Sequence, residues 1–162
     1  MYSFGEEMVI AGDITAIWQA ATDVAAWPSW DPHEEKARLD GPFAPGTKGW
    51  NKPKGAPAGT FTITAVEAER MWSARAGIPF GSLRGVSRYE PLGDRRVRVS
   101  KVFEVRGPFA PLFRLIWEKG VRADMRLTFT ALETEARRLE QARRLEQARR
   151  LEQARRLEQA RA

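Results

Sequence analysis

Hydrophobic positions change period twice along the chain. The run Tyr2–Ile10 ends in apolar residues and predicts a first strand. Asp13 then offers an N-cap, and Ile14, Trp18 and Ala21 fall on one helical face. Pro28 stops that segment, so the stretch Trp27-Pro28-Ser29-Trp30-Asp31-Pro32 reads as a short helix turning into a loop. From Glu34 to about Glu104 a period of two takes over. Phe61, Ile63 and Ala65 alternate with Thr60, Thr62 and Thr64, and Val97, Val99, Phe103 and Val105 share one parity. Met71–Arg75 and Ser82–Glu90 are further strands, separated by Ile78-Pro79-Phe80-Gly81 and closed by Pro91-Leu92-Gly93-Asp94. Turn signals at this spacing predict an antiparallel meander. After Gly107-Pro108 the period becomes helical. Phe109, Leu112, Phe113, Ile116, Trp117, Gly120, Asp124, Leu127 and Ala131 recur at three- and four-residue steps, predicting one long helix that covers the apolar face of the sheet.

The charge changes less in this picture than its total suggests. The 162 residues carry a net charge of +6. Residues 136–162 hold nine Arg and four Glu, which leaves the remainder close to neutral. This tail repeats ARRLEQ four times, every residue a good helix former, with Glu140, Glu146 and Glu152 each three and four positions ahead of an Arg. Its leucines fall about 120° apart on a helix, so they spiral and form no seam. Hence a coiled coil and a membrane-surface face are both disfavoured. The expectation is a solvated helical rod, with helix-to-helix association in a homodimer or an anionic partner as the alternatives. No nucleic acid is expected, because the tail carries no ring for base stacking.

Cysteine is absent and His33 is the single histidine. Disulfides, thiolate nucleophiles, Cys-based zinc sites and multi-imidazole metal centres are thereby excluded. No metal or cofactor is expected. No apolar run is long enough to span a bilayer, and the N-terminus lacks the basic flank of a secretory signal, so a cytoplasmic location is the expectation.

Several motifs, taken in order, resemble the START-like (SRPBCC) superfamily, the polyketide cyclase/dehydrase and lipid-transport group. They are Asp23-x-x-x-Trp27-Pro28-x-Trp30, then Leu39-Asp40-Gly41-Pro42-Phe43-x-x-Gly46-Thr47, then Val105-Arg106-Gly107-Pro108-Phe109-Ala110-Pro111-Leu112-Phe113. The resemblance covers residues 1–135, read as the folded domain, and leaves 136–162 as a tail continuing its last helix. It implies an α+β helix-grip fold, with six or seven curved antiparallel strands gripping a long C-terminal helix. It also implies a hydrophobic cavity between sheet and helix for a small lipid-, polyketide- or aromatic-like ligand. Binding or transport of such a ligand is the first expectation, and a cyclase or dehydratase using the same cavity is the second. A scaffold or stress-linked module acting through the basic tail is a third, from another class.

Aromatic rings supply independent support, since all six Trp, both Tyr and all eight Phe precede residue 130. Candidate lining residues are Trp27, Trp30, Trp50, Phe61, Ile63, Trp72, Phe103, Trp117 and Val121. Packing of the same rings in an ordinary core is the competing reading. Lys101 shares the parity of Val97, Val99 and Phe103, so it is a candidate cationic anchor, or an exposed residue beside a bulge. Arg84 and Tyr89 have opposite parity and cannot both face inward without a bulge. Asp124 sits near the helical apolar stripe. His33 reads as a surface loop residue. No catalytic residue is assigned, and the strand position where many relatives of the superfamily carry His is Ser87.

Overall fold

The computed structural model describes residues 1–161. Seven strands form one antiparallel sheet: β1 Tyr2–Ala11, β2 Glu34–Leu39, β3 Lys48–Pro53, β4 Gly59–Glu67, β5 Met71–Ile78, β6 Gly81–Gly93 and β7 Arg96–Arg106. Their spatial order is β1-β7-β6-β5-β4-β3-β2. After β1 the chain crosses to the far edge through α1 (Ile14–Thr22), a 3₁₀ turn (Val24–Ala26) and α2 (Trp27–Trp30), then meanders back until β7 pairs with β1. Register shifts at Glu34/Lys36, Ile63/Ala65 and Pro91/Gly93 insert bulges that curl the sheet into a half-barrel. With α4 (Glu118–Arg161) gripped against its concave side, this is the helix-grip fold.

Two strands run further than their turn residues suggest. β5 continues to Ile78, and Pro79-Phe80 alone forms the hairpin, with Phe80 at φ 56°. β6 continues through Pro91, accommodated by a bulge, until Asp94 and Arg95 turn the chain with φ 51° and 56°. Gly107 joins β7 to α3 (Ala110–Ile116) at φ +113°, where an added Cβ would lie 2.5 Å from the Phe80 carbonyl oxygen. Only glycine fits there without displacing backbone.

The expected single C-terminal helix is two. α3 ends at Trp117, whose φ of −109° interrupts the helical path before α4. Leu112, Ile116, Trp117 and Leu127, placed on the buried face by periodicity, are 45%, 55%, 44% and 55% exposed. The face that α4 buries is Met125, Phe129, Leu132 and Ala136, with Val121 packed beside them. In α1, Asp13 caps the helix, accepting from the Ala16 amide at 3.3 Å; Ala21 is buried and Ile14 and Trp18 pack partly buried against the core, with Ala16, Ile17 and Ala20 completing the inward face. Packing along α4 extends past residue 135. Ala136 is fully buried, and Glu140 accepts from the Asp13 amide at 2.7 Å and pairs with Arg95. Leu145, Leu151 and Leu157 further along are exposed.

Glu6 ties β1 to α4 through Arg122 (3.1 Å) and Arg126 (2.9 Å). The hydrogen bond from Arg126, followed by that from Arg122, holds its carboxyl below the usual carboxylate value despite some desolvation. A lowered folded-state value means stability present above the unfolded value and lost as pH falls through the folded one. Wild type is therefore expected to melt above Glu6→Gln at pH values over 4.5, the ordinary value, with the gap closing in acid. Paired melting curves across that range check it, and a gap independent of pH would contradict the ion-pair account.

Candidate functional site

The curled sheet leaves space under α4 because its floor is small. Consecutive register rows cross the concave face as Phe61–Ala76–Leu83 and Ile63–Ala74–Gly85–Phe103–Phe4. Ala74, Ala76 and Gly85 put almost no side chain into the middle of those rows. Above them stand Val121, Met125, Thr128 and Phe129 of α4, and a cavity of about 330 Å³ remains between the layers.

Rings wall one side. Trp27 stacks on Phe61 (6.2 Å between centroids) and on Trp72 (6.0 Å), and its Nε1 donates to the Ala21 carbonyl at 3.2 Å. Trp72 Nε1 donates to Tyr89 Oη at 3.1 Å, so both polar tips are used up within the wall. Burial pushes the Tyr89 hydroxyl up to about 12. Tyr89 is thus a neutral phenol held in place. Next to the main cavity lies a smaller void of about 60 Å³, lined by Trp30 and Tyr89 together with Trp72, Ser87 and Lys101.

Ionisable groups gather at the other side. The loop after α2 delivers Asp31 and His33, and the start of β2 delivers Glu34. Asp31 accepts from the His33 amide at 2.9 Å and from Thr128 Oγ1 at 3.2 Å, which binds this loop to α4. His33 Nδ1 lies 3.4 Å from Asp124 Oδ1, while His33 Nε2 and Trp30 Nε1 are buried without hydrogen-bond partners. Glu34 accepts from Asn51 Nδ2 at 2.9 Å. Desolvation by burial outweighs that hydrogen bond and raises the Glu34 carboxyl above its ordinary value. Lys101 enters from β7 with its Nζ 5.1 Å from the Phe103 ring centre. Burial lowers its ammonium value, and the nearby Asp31 and Glu34 charges offset this only in part. Among the described residues no group of three or more His, Asp or Glu is arranged to hold a metal.

The residues singled out in the sequence therefore separate. Trp27, Phe61, Trp72, Lys101, Phe103, Val121 and Asp124 line the main cavity, and Trp30 and Tyr89 line the small void beside it. Ile63 is fully buried in the sheet without lining either. Three others stand outside. Trp50 follows Gly49, whose face meets the Phe61 ring, so the indole points away and packs under Arg38. Arg84 pairs with Glu104 (3.5 Å) on the face opposite to Leu83 and Gly85, which settles the parity question in favour of Tyr89. Trp117 belongs to a ring cluster with Phe109 and Phe113 at the α3–α4 break. His33 is not a free surface residue: its side chain is mostly buried against the cavity. Asp31, His33, Glu34, Asn51 and Thr128 were not legible as site residues, because none lies on a periodic apolar face.

Against known proteins this geometry has clear counterparts. The profile described as "Polyketide cyclase / dehydrase and lipid transport" matches residues 1–137. The chain belongs to that family. Solved structures similar to it include protein NE0264 from Nitrosomonas europaea, at TM-score 0.69 and 16% identity over 85% of this chain and 96% of that one. The Zhui aromatase/cyclase from Streptomyces sp. R1128 gives 0.67 and 17%, over 85% and 94%. Norcoclaurine synthase from Thalictrum flavum, solved with dopamine and hydroxybenzaldehyde, gives 0.61 and 15%, over 82% and 84%. At such identities the likeness establishes the fold. No protein of curated function matches in sequence. Membership supports a hydrophobic-ligand-binding or cyclase-type function, and among the described residues no helix is long and apolar enough to cross a membrane.

Proposed function

We propose that the chain binds a small aromatic molecule carrying one polar group. Its ring would lie against Trp27, Phe61 and Trp72, and its polar group toward Lys101, Asp31 and Glu34. The observation that carries this reading is an apolar cavity with ionisable side chains collected on one side of it. A volume of about 330 Å³ is near the lower end of ligand pockets, which run from about 300 to 1,000 Å³, so a one- or two-ring guest fits better than a long acyl chain. Burying about 200 Å² of its apolar surface is worth on the order of 5 kcal/mol before the costs of association.

Naphthol tests this directly. It is expected to quench tryptophan emission saturably and to raise the melting temperature, by about 2.7 kcal/mol of stabilisation at a hundred times Kd. Naphthol, naphthylamine and naphthoate all leaving both signals unchanged would overturn the reading.

One arrangement favours a second reading, that the bound molecule is also transformed. His33 holds Nδ1 toward the Asp124 carboxylate, an orientation that fits a general acid–base imidazole. The named reactions of the Zhui protein and norcoclaurine synthase belong to those proteins, and they support this reading by fold alone. Turnover lost in His33→Asn with naphthol binding retained would separate catalyst from carrier.

A further inference from the structure

Lys101 lacks the partner a buried lysine ordinarily has. It stands on the concave row of β7 between Val99 and Phe103, opposite Ser87 of β6 and Glu6 of β1. Glu6 is the carboxylate in register with it, yet Glu6 is committed to Arg122 and Arg126 of α4. The other polar groups lining the same cavity are Asp31, His33 and Glu34 from the loop and β2, Asn51 of β3, Arg75 of β5, and Asp124 and Thr128 of α4. Asp31 is held by Thr128, His33 by Asp124, and Glu34 by Asn51. None forms an ion pair with Nζ among the described residues. The amine therefore ends in a ring-walled cavity with the Phe103 ring face 5.1 Å from Nζ.

We infer that Lys101 is a nucleophile that captures aromatic aldehydes or ketones in this cavity as a protonated imine on its Nζ. The inference rests on the binding reading above and narrows its ligand class to carbonyl compounds. An unpaired ammonium is costly in such surroundings and the neutral amine is not, so burial favours the form that attacks a carbonyl carbon. The amine lone pair forms the C–N bond while the carbonyl π pair moves to oxygen, and one amine proton passes to that oxygen to give a carbinolamine. Nitrogen then expels the hydroxyl, which leaves as water with the proton of the Glu34 carboxyl. The protonated imine remains beside the Glu34 carboxylate. Burial keeps Glu34 protonated to higher pH than an ordinary glutamate, and Asn51 fixes its orientation. Atoms and charge balance with no further reactant.

The test treats the full chain with anisaldehyde and sodium cyanoborohydride at neutral pH, then maps the reduced adduct by peptide mass spectrometry. Exposed Lys119 serves as the internal control. Burial raises the free-base fraction of Lys101 and the cavity holds the aldehyde beside its Nζ, so Lys101 is expected to be labelled faster than Lys119, and excess anisyl alcohol should slow it. Lys101→Met should lose the adduct, whereas Lys119→Met should leave both the Lys101 adduct and the binding of anisyl alcohol, read by tryptophan quenching, unchanged. Equal labelling of Lys101 and Lys119 in wild type that does bind the alcohol overturns the imine and leaves the binding reading intact. Failure of wild type to bind either compound overturns the binding reading and the imine with it. Since both lysines are compared within one molecule, the comparison holds whether or not the variant folds.

Discussion

Truncating Phe129 to alanine is expected to lower the unfolding free energy by about 3–5 kcal/mol, the usual cost of removing a buried phenylalanine ring. Phe129 is 5% exposed at the middle of the α4 face that the sheet grips, with Met125 and Leu132 a turn away on either side. It borders both the main cavity and the small void. Removing its ring joins new empty volume to space that already exists, so the walls have little to collapse onto and the cavity cost is retained. A domain of this size has about 5–15 kcal/mol in all, so the variant would stay folded with a visibly earlier midpoint. Denaturant titration at an unchanged m-value checks it. A loss under about 1 kcal/mol would mean that α4 is not clamped where its burial places it.

Elements were more legible than phases. The row Val97, Val99, Lys101, Phe103, Val105 reveals its inward face from alternation alone, and its outlier Lys101 does face the cavity. Periodicity along α3 and α4 predicts helix correctly but assigns Leu112, Ile116 and Leu127 to the wrong side. The helix break at Trp117 is likewise not announced by residue spacing. Trp50 and Trp72 are equally good ring candidates in one dimension. Only the register Gly49↔Phe61 turns one outward, and only Trp72↔Ser87 holds the other inward. The polar side escaped for a different reason. Asp31, His33 and Glu34 arrive on a loop and a strand start, and their meeting with Asp124 and Thr128 is a consequence of where α4 crosses the sheet. The void was expected from the family resemblance alone and not from residue spacing, because it is made by small residues on adjacent strands facing a helix that lies far along the chain.

That origin of the void supplies the sharpest functional test. Ala74→Leu is expected to weaken naphthol binding by about 10–100-fold, corresponding to the roughly 1–3 kcal/mol it costs to force groups into occupied volume. Ala74 lies at the centre of the concave floor, flanked in register by Ile63 and Gly85, and its side chain is directed at the space under α4. An isobutyl group there occupies what the guest would occupy. Without a guest it fills empty apolar volume, where each buried methylene is worth about 0.8 kcal/mol, so the apo protein should hold or gain stability. Opposite signs in the two measurements distinguish a filled site from a damaged fold. Gly85 could not serve as the probe: a Cβ there would lie 2.9 Å from Cε1 of Phe103, and the ring would have to move. Measuring naphthol affinity by tryptophan quenching, with the melting temperature of the same samples, reads both signs at once. Undiminished affinity in a stable Ala74→Leu protein would put the guest somewhere other than between the sheet and α4.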